Sequence, residues 1–520
     1  MLLPALRGIR FLSDEAGLVE ALPTLDDPLD RTRVPVLDHP EFELAMQAHL
    51  GQAVTEASLD GLQRQVQVFL AAQGLPFSVV YLPPQDITGG FLQVVVTTSV
   101  TDDEVAVEGA RHFDAGNYLR WVRQRPGVPP DIAAFKQDIA WISRNPYRVA
   151  EPRIRPGTQP GTTQLMMAVR DRTPWRVYTA FSNTGTRATD RERWAAGFNW
   201  GNAFGRDHEL SVNLAGSVDV HRSRSIALSY LVPLPWRHLL HLDWSLSESA
   251  GKVPAGLDQE GGGRQLGLKY EVPLGGVASG HSLSAGVEFK RSDNLLLLNL
   301  GAENIPLVDG STEVYQLRLG YDGRAVHTAK GATTDFGVSA VYSPGGLSDR
   351  NEDRAFANSR AFAAADYEYV TARARHVRPF WRNRWEYSLR GNLQWTEDTL
   401  IGIEQMVVGG MSTVRGYEEN EAFGDRGIVL GQELAFPAVR LAGLGRDELR
   451  PFAFHEGGWT ESVRRLPGEH SMALHAVGLG LRYRYGQNVS LNVAGGWPLR
   501  RAESGADTDA KAHLSLQLGF

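Results

Sequence analysis

The residues of this sequence whose types and spacing could do chemistry lie close together in one short segment. This segment, Gly409-Gly-Met-Ser-Thr-Val-Arg-Gly-Tyr417, contains three glycines, one cation and one aromatic residue. Gly409, Gly410 and Gly416 can adopt left-handed backbone, which allows a loop to fold back on itself. The chemistry on offer is ionic, because the planar guanidinium of Arg415 can form a two-pronged contact with a carboxylate.

An arginine held away from bulk water needs a carboxylate partner, because a buried charge left unpaired costs several kcal/mol of stability. The best candidate partner of Arg415 is Glu456, at the end of the strand-like segment 452–456, and the second candidate is Glu433. An arginine on a solvated surface loop, with no partner, is the alternative interpretation. The elements that surround the loop decide between the two.

Alternating apolar and polar residues fill the chain from residue 173 to its end, in segments separated by Gly, Asn and Asp. This period of two is typical of β-strands with one apolar and one polar face. About 345 residues, at roughly 20 to 22 residues per strand and connection, predict about 16 strands. Since an open sheet of this size would leave unpaired edges, we expect a closed antiparallel outer-membrane β-barrel, with a long loop at 399–425.

The last residues favour a barrel over the alternative of a large soluble all-β protein such as a propeller. Leu514, Leu516, Leu518 and Phe520 fall on one face of the final segment, and the polar residues between them fall on the other. In a barrel the last strand pairs with the first, so the chain can end on an aromatic residue within a strand. We expect these four residues to act as a C-terminal signal for barrel insertion.

Composition excludes several other classes of protein. The chain has no cysteine, so disulfides and thiolate metal sites are excluded, and its 14 histidines lack the spacing of metal ligands. A formal net charge of -7, with no run of Lys or Arg, argues against nucleic acid as a partner. No apolar stretch reaches the roughly 18 residues of a membrane-spanning helix. A secretory signal is not evident in the first residues.

Catalysis and nucleotide binding find no support in the motifs. Gly280-His-Ser-Leu-Ser284 superficially resembles a hydrolase nucleophile turn, but its closing glycine is displaced to Gly286. The Gly-x-x-x-x-Gly-Lys-Ser/Thr motif of ATP-binding proteins is missing. We therefore expect a chain that is not an enzyme and that uses no cofactor and no metal.

Two small α+β domains precede the barrel, and the order of their elements repeats. We assign residues 36–99 to the first domain, with a first strand at about 8–13, and residues 100–172 to the second. Residues 1–35 form an N-terminal segment with a possible insertion at 22–34. The predicted helices are 41–49, a longer one from the N-cap Thr55 to the helix stop at Gly74, 117–123 and 132–142. The predicted strands are 77–81, 90–96, 104–108, 148–154 and 163–169.

The segment Val414-Arg-Gly-Tyr417, preceded by Gly409-Gly410 and followed by Gly424-Asp-Arg-Gly427, resembles the lid-loop signature of a bacterial superfamily. This superfamily holds the barrel-assembly proteins and the two-partner secretion transporters, and in it the loop's arginine pairs with the acidic residue of a Phe-x-Asp-x-Gly pattern. Phe454-His-Glu-Gly-Gly458 is similar to that pattern, with Glu456 in place of Asp. The resemblance therefore implies that Arg415 reaches into the barrel and pairs with Glu456.

The resemblance extends over nearly the whole chain. Residues 85–96 resemble the end of a first polypeptide-transport-associated (POTRA) domain, and Asn145-Pro-Tyr-Arg-Val149 with Pro156-Gly157 resembles part of a second. Two such domains before a barrel of this size are typical of the two-partner secretion family (TpsB, haemolysin secretion/activation type). The family implies that the chain exports a secreted exoprotein across the outer membrane, with POTRA domains in the periplasm that receive the unfolded client.

The resemblance implies two further partners, which are outer-membrane lipid and, during biogenesis, the barrel-assembly machinery. By the same resemblance the loop around Arg415 gates or braces the pore. Two other functions stay open at this point. One is a factor that assembles or inserts other barrels, and the other, from a different class, is a passive porin or a barrel enzyme.

Overall fold

The computed structural model describes residues 2–22, 24–73, 75–159, 162–251, 257–299, 304–441, 445–501 and 509–520. The chain divides into two compact units, Met1–Arg172 and Thr173–Phe520. The first unit contains short helices and two four-stranded sheets, and the second contains a closed β-barrel. No helix in the described ranges is both long enough and apolar enough to span a membrane.

The first domain of the N-terminal unit contains β1 (Gly8–Leu12), β2 (Leu29–Asp30), α1 (Pro40–Gln47), α2 (Glu56–Ala72), β3 (Val79–Tyr81) and β4 (Phe91–Thr97). Its sheet has the strand order β2-β1-β4-β3. A capping box begins α2, because the Thr55 hydroxyl accepts from the backbone N–H of Ser58 and the Ser58 hydroxyl accepts from that of Thr55. The helix therefore starts at the N-cap that the sequence predicts.

One apolar face of α2 packs into the core of this domain. Leu62, Val66 and Leu70 recur at four-residue steps and are all buried. In the same core Phe11 of β1 meets Phe42 of α1, with ring centroids 5.3 Å apart. Since each buried side chain of this kind contributes about 1.5–3 kcal/mol, this core fixes both helices on the sheet.

Residues 1–35 supply half of the strands in this sheet, namely β1, which lies at the first strand predicted at about 8–13, and β2, which the sequence does not predict. β1 lies between β2 and β4 and is parallel to both. The side chains of Arg10 and Asp30 form an ion pair of 2.9 Å across the β1–β2 junction. The possible insertion at 22–34 thus contains a strand of this sheet. At two residues, β2 is too short to show a period in the sequence.

The second domain of the N-terminal unit contains β5 (Val100–Thr101), β6 (Ala106–Glu108), α3 (Ala115–Leu119), α4 (Ile132–Ile142), β7 (Arg148–Pro156) and β8 (Thr162–Asp171). Its sheet has the strand order β5-β8-β6, with β7 paired to β8. The short helix predicted at 117–123 begins two residues earlier, because Asp114 takes its N-cap position. The order of β6, α3, α4, β7 and β8 repeats that of β1, α1, α2, β3 and β4.

The second unit is a closed antiparallel barrel of 16 strands, which confirms the predicted fold class. The barrel strands are β9 (Trp175–Ser182), β10 (Arg193–Ala203), β11 (His208–Ser217), β12 (Ser223–Pro233), β13 (Leu239–Gly251), β14 (Leu257–Leu274), β15 (His281–Asn299), β16 (Asn304–His327), β17 (Ala332–Pro344), β18 (Asp366–Phe380), β19 (Trp385–Trp395), β22 (Arg426–Ala435), β23 (Asp447–Glu461), β24 (Met472–Tyr485), β25 (Val489–Pro498) and β26 (Lys511–Gly519). A separate hairpin of β20 (Met406–Val408) and β21 (Ala422–Gly424) lies between β19 and β22, and α5 (Asp353–Ser359) lies between β17 and β18.

Large apolar side chains cover the outer wall of the barrel. Leu268, Val287, Leu317 and Tyr342 stand opposite one another on four successive strands from β14 to β17. All four side chains are exposed. A continuous apolar row of this kind is unfavourable in water, whereas it is the alternation that a membrane barrel presents to lipid. The row therefore marks the face that meets the membrane.

The barrel closes at a seam where β26 meets β9, and this seam is short. Five residue pairs join 515–519 to 178–182, against eight pairs between β9 and β10. The terminal Phe520 extends the seam, because its N–H donates to the carbonyl of Val177 at 2.9 Å and its carbonyl accepts from Val177 at 3.1 Å. The chain end is thereby held in the wall by backbone hydrogen bonds.

We expect Phe11→Ala to weaken the first domain as much as Phe42→Ala, because both rings lie in one core. Each loss should lower the unfolding free energy of the domain by about 3–5 kcal/mol. Hydrogen exchange of the α2 amides in the full-length protein measures this loss, and both variants should exchange faster. Leu44→Ala is the control, since Leu44 is 72% exposed on α1. Unchanged exchange of the α2 amides in Phe11→Ala would contradict the assignment of β1 to this core.

Candidate functional site: the lid loop and the barrel wall

The lid loop, residues 399–425, connects β19 to β22 and turns back on itself at its tip. β20 and β21 pair with each other and hold the tip of the loop, residues 409–421, between them. Gly409, Gly410 and Gly416 have φ angles of +115°, +91° and +100°, in the left-handed region that favours glycine. The Thr413 hydroxyl closes the turn, since it donates to the carbonyl of Gly409 at 2.9 Å and accepts from its N–H at 2.7 Å. Each glycine stands where a side chain would strain the backbone.

Arg415 carries the charge of the tip, and the structure places it against both candidate carboxylates. Its Nη2 lies 2.6 Å from Oε1 of Glu456, and its Nε lies 3.1 Å from each Glu456 oxygen. Oε2 of Glu433 lies 3.3 Å from both Nη atoms. Arg415 is 6% exposed and Glu456 is 1% exposed. The solvated alternative, an arginine with no partner, is therefore wrong.

The Glu456 carboxylate also holds the backbone of the tip. The N–H of Arg415 donates to Oε2 of Glu456 at 2.8 Å. Glu456 thus binds both the side chain and the main chain of one residue, which fixes the position of the tip more firmly than a single ion pair. The arm of glutamate, longer by one methylene than the aspartate of the family pattern, is compatible with these contacts.

An aromatic ring lies beneath the guanidinium. Cζ of Arg415 is 3.6 Å from the ring centroid of Phe454, within the range of a cation–π interaction. The ring of Phe454 lies across Gly478, its partner on β24, and the ring of Phe452 lies across Gly480 in the same way. A side chain at either glycine would collide with the ring. The wall therefore provides a flat aromatic surface for the arginine.

Gly458 completes the strand motif by leaving space. A Cβ at this position would lie 3.2 Å from Cγ2 of Val414 in the tip and would collide with Cγ1 of Val408 in β20. Phe454, Glu456 and Gly458 alternate along β23, so all three face the lid loop. They supply a ring, a carboxylate and a gap, in that order.

The end of the tip rests on the β24–β25 part of the wall. Gly416 and Gly496 meet backbone to backbone, since a Cβ on Gly416 would lie 3.0 Å from the carbonyl carbon of Gly496. The Tyr417 hydroxyl accepts from the N–H of His475 at 3.0 Å and donates to the carbonyl of Arg500 at 2.7 Å. Tyr417 therefore bridges the chain where the β24–β25 ladder ends.

Two wall arginines that sequence reasoning missed share the same carboxylates. Nη2 of Arg390 lies 2.5 Å from Oε1 of Glu456 and donates to the carbonyl of Thr413 at 2.7 Å. Nη1 of Arg482 lies 2.6 Å from Oε1 of Glu433. These side chains border a cavity of about 330 Å³. A search for cations at inward positions of β19 and β24 could have found them, but only with the strand register known.

Two further buried carboxylates anchor the base of the lid loop. Glu404 accepts from Nζ of Lys290 and from the hydroxyl of Tyr369, each at 2.8 Å. Asp425 pairs with Arg360 in the connection that contains α5. Sequence reasoning missed both carboxylates. Lys290 and Arg360 lie 114 and 65 residues from their partners in the chain, and Tyr369 lies 35 residues from Glu404. The loop is thus fixed at its base as well as at its tip.

The chemistry of this site is electrostatic. Around the tip lie three arginines and two glutamates, joined by ion pairs and by hydrogen bonds to the backbone. Within the parts of the chain that the structure describes, no group of three or more His, Asp or Glu residues could hold a metal ion. Ion pairs and hydrogen bonds break and form again without a chemical reaction. The arrangement therefore suits a loop that is held in place reversibly.

Comparison with family models decides which proteins share this architecture. The model of the haemolysin secretion/activation protein ShlB/FhaC/HecB matches residues 161–483, which is more than half of the chain. The chain belongs to the ShlB/FhaC/HecB family. A model of the ShlB-type POTRA domain matches residues 30–99. Transporters of the ShlB/FhaC/HecB family export partner exoproteins across the outer membrane, and the resemblance predicted from the sequence is confirmed.

Individual relatives and solved structures are similar to this member of the ShlB/FhaC/HecB family over most of its length. The heme/hemopexin transporter protein HuxB of Haemophilus influenzae (strain 86-028NP) is 22% identical over 92% of this chain and 85% of HuxB. The outer membrane transporter CdiB of Escherichia coli O6:K15:H31 (strain 536 / UPEC) is 25% identical over 86% of this chain and 73% of CdiB.

Two solved structures have the same fold as this ShlB/FhaC/HecB family member. CdiB from Escherichia coli superposes with a TM-score of 0.72 at 17% identity, covering 99% of this chain and 90% of CdiB. BamA from Haemophilus ducreyi, lacking POTRA domains 1–3, superposes with a TM-score of 0.56 at 13% identity, covering 99% of this chain and all of that one. At these identities the likeness concerns the fold alone.

We expect Glu456→Gln to loosen the lid loop, because it removes the charge that holds both the guanidinium and the backbone of Arg415. Loss of one partner of a buried pair destabilises by about 3–5 kcal/mol. Protease cleavage within the tip, measured on the full-length protein in detergent, should become at least tenfold faster. Glu448→Gln is the matched control, since Glu448 lies on the same strand and pairs with Arg484 at 3.2 Å. Equal cleavage rates in both variants would contradict the assigned role.

Proposed function

We propose that the lid loop closes the pore of this exporter, and that the buried contact between Arg415 and Glu456 is the latch. The observation that carries this proposal is the position of that contact inside a closed barrel, on the wall formed by β23. A client chain that passes through the lumen must displace the loop. The latch consists of ion pairs and hydrogen bonds, so it can open and close in each export cycle.

The N-terminal unit, in this proposal, lies in the periplasm and receives the client as an unfolded chain. We assign one POTRA domain to residues 36–99, together with β1 and β2, and a second to residues 100–172. The family match at 30–99 supports the first assignment, and the repeated order of elements supports the second. In the first domain β3 is an edge strand, to which an extended client can add by backbone hydrogen bonds without regard to its sequence. Folding of the client outside the cell gives export its direction.

Outer-membrane lipid and the barrel-assembly machinery are the other proposed partners. The apolar outer row from β14 to β17 supports the contact with lipid. Leu514, Leu516, Leu518 and Phe520 form the proposed insertion signal, and the 76% exposure of Phe520 leaves its ring accessible to another protein. Three of these residues stand on β26, the strand that closes the barrel, and Phe520 follows it directly, so their recognition would coincide with closure.

A factor that inserts other barrels is the second candidate function, and the short seam between β26 and β9 is the observation that favours it. Five residue pairs separate more easily than eight, and a parted seam could template a new strand. Deletion of the gene discriminates the two functions. Loss of one secreted exoprotein indicates an exporter, whereas loss of many outer-membrane proteins indicates an insertion factor.

We expect Arg415→Ala to leave a heat-modifiable barrel in the outer membrane and to lower secretion of the partner exoprotein at least about tenfold, since it removes the buried latch. Immunoblotting of the exoprotein in the culture medium measures secretion. Arg484→Ala is the control, because Arg484 is an exposed arginine on β24. Wild-type secretion by the Arg415→Ala variant would contradict the proposed role of this contact in export.

Exchange of the two charges tests the pairing itself. The double variant Arg415→Glu with Glu456→Arg restores opposite charges and should secrete more than either single reversal. Glu433 keeps its own partner Arg482 in these three variants, so recovery reports on Glu456. If secretion recovers instead in the double variant Arg415→Glu with Glu433→Arg, Glu433 and not Glu456 is the partner that forms the latch.

Deletion of Phe520 should reduce the amount of folded barrel in the outer membrane several-fold, because it removes the exposed ring and the two backbone bonds to Val177. Heat-modifiable mobility in membrane fractions measures the folded amount. Phe423→Ala is the control, as Phe423 is an exposed aromatic in β21, away from the chain end. Normal levels after the deletion would exclude Phe520 from the signal.

A further inference from the structure

One carboxylate of the lid loop faces three cations at once. Oε1 of Glu418, the residue after Tyr417, lies 2.6 Å from Nζ of Lys511, 2.5 Å from Nη2 of Arg191 and 3.1 Å from Nε of Arg187. The lid loop therefore makes a second ionic contact with the barrel, separate from the latch at Arg415. No motif of the sequence points to it.

The three cations come from opposite sides of the seam. Arg187 and Arg191 lie in the connection that follows β9, the first strand of the barrel, and leads to β10. Lys511 is the first residue of β26, the last strand of the barrel. Glu418 belongs to neither side, because it is part of the connection between β19 and β22. A residue of the lid thus joins both edges of the seam.

The strand ladder has already ended where this contact occurs. Register pairs between β26 and β9 stop at Ser515 and Ser182. Beyond that point Asn183 continues the link with both its backbone and its side chain. Its N–H donates to the carbonyl of Leu514 at 3.2 Å, its Oδ1 accepts from the N–H of Leu514, and its Nδ2 donates to the carbonyl of Ala512, the last two each at 2.8 Å. Lys511 lies one residue further on. At its level Glu418 supplies the link that a strand pair supplies elsewhere.

Charge and burial favour a strong contact. The side chains of Glu418 and Lys511 are mostly buried, so water screens their attraction only weakly. Burial by itself raises the pKa of the Glu418 carboxyl, but hydrogen bonds from Lys511 and Arg191 outweigh it and hold the pKa below its usual value. The carboxylate is therefore charged at neutral pH. Without it, three cations would face one another across the seam.

We propose that Glu418 is a positioning residue that links the lid loop to the β26–β9 seam at the end beyond Ser182 and Ser515. In this proposal that end of the seam is held closed only while the lid loop is in its place. This inference goes beyond the proposed function, on which it rests in one respect, namely that the lid moves during export. Its physical claim concerns the seam alone. Displacement of the lid withdraws the carboxylate and leaves the two edges with repelling cations.

The adjacent residue provides a matched control. Oε1 of Glu419 accepts from the N–H of Met411 at 2.7 Å, which is a contact within the lid loop itself. Burial raises the pKa of the Glu419 carboxyl. Glu418 and Glu419 are thus neighbouring carboxylates of one loop, of which the first reaches the seam and the second does not. Replacement of each by Gln separates loosening of the loop from release of the seam.

Hydrogen exchange of the full-length protein in detergent, without any client, tests the proposal. In Glu418→Gln the seam amides in 178–182 and 515–519 should exchange about tenfold faster than in the wild type, because seam opening becomes easier. Amides of β13 and β14, on another part of the wall, should keep their rates. Glu419→Gln should leave the seam rates unchanged, and Glu418→Asp should restore part of the protection.

Faster exchange in the tip with unchanged seam rates in Glu418→Gln would overturn the proposal, as would equal seam rates in the two Gln variants. A disulfide lock supplies a further check, because the chain has no native cysteine. Ser182→Cys with Ser515→Cys joins two register partners across the seam and should return the seam amides of Glu418→Gln to slow exchange. These measurements need no secretion, so their failure is distinct from a failure of the Arg415 experiment.

Discussion

Everything in the barrel depends on one constraint, which is that no backbone N–H or C=O group can remain unpaired in the hydrocarbon of a membrane. Sixteen strands satisfy it by pairing around a closed ring, and the last bonds are made by the C-terminal residues against β9. Because the strands alternate, the same ring has an apolar outer face and an inner face that is free to carry charge. The lid loop and its ionic contacts exist only because closure creates that protected interior.

Inside the ring, glycine decides where the lid loop can rest. At Gly496 the loop meets the wall backbone to backbone, and at Gly458 the missing side chain makes room for Val408 and Val414 of the loop. The ring of Phe454 covers Gly478, and the ring of Phe452 covers Gly480. Charge is then concentrated on the few positions between these glycines. Shape and electrostatics therefore act together on three alternate residues of β23, where Phe454 supplies a ring, Glu456 a carboxylate and Gly458 a gap.

Much of this architecture could be predicted from the sequence, for identifiable physical reasons. The alternation of polar and apolar residues indicated the barrel, and the glycine-rich segment around Arg415 pointed to Glu456 and Glu433, which are the carboxylates that Arg415 contacts. Arg390 and Arg482 escaped prediction, because their distance from the tip depends on strand register across a long irregular connection. β2 escaped because two residues show no period. Glu418 escaped because its partners lie at both ends of the barrel sequence.

Around the seat of Arg415, unlike at the seam beside Glu418, the wall keeps its charges paired when the lid is taken away. Arg390 stays beside Glu456, and Arg482 stays beside Glu433, so departure of Arg415 strands no carboxylate in the lumen. The cavity beside the vacated surface would be lined by Arg375, Arg390 and Arg482 and by Glu433 and Glu456, so positive charge exceeds negative charge there by one. A passing polypeptide would therefore meet a surface whose charges are nearly balanced, and the returning loop would find both carboxylates still in place, each beside an arginine.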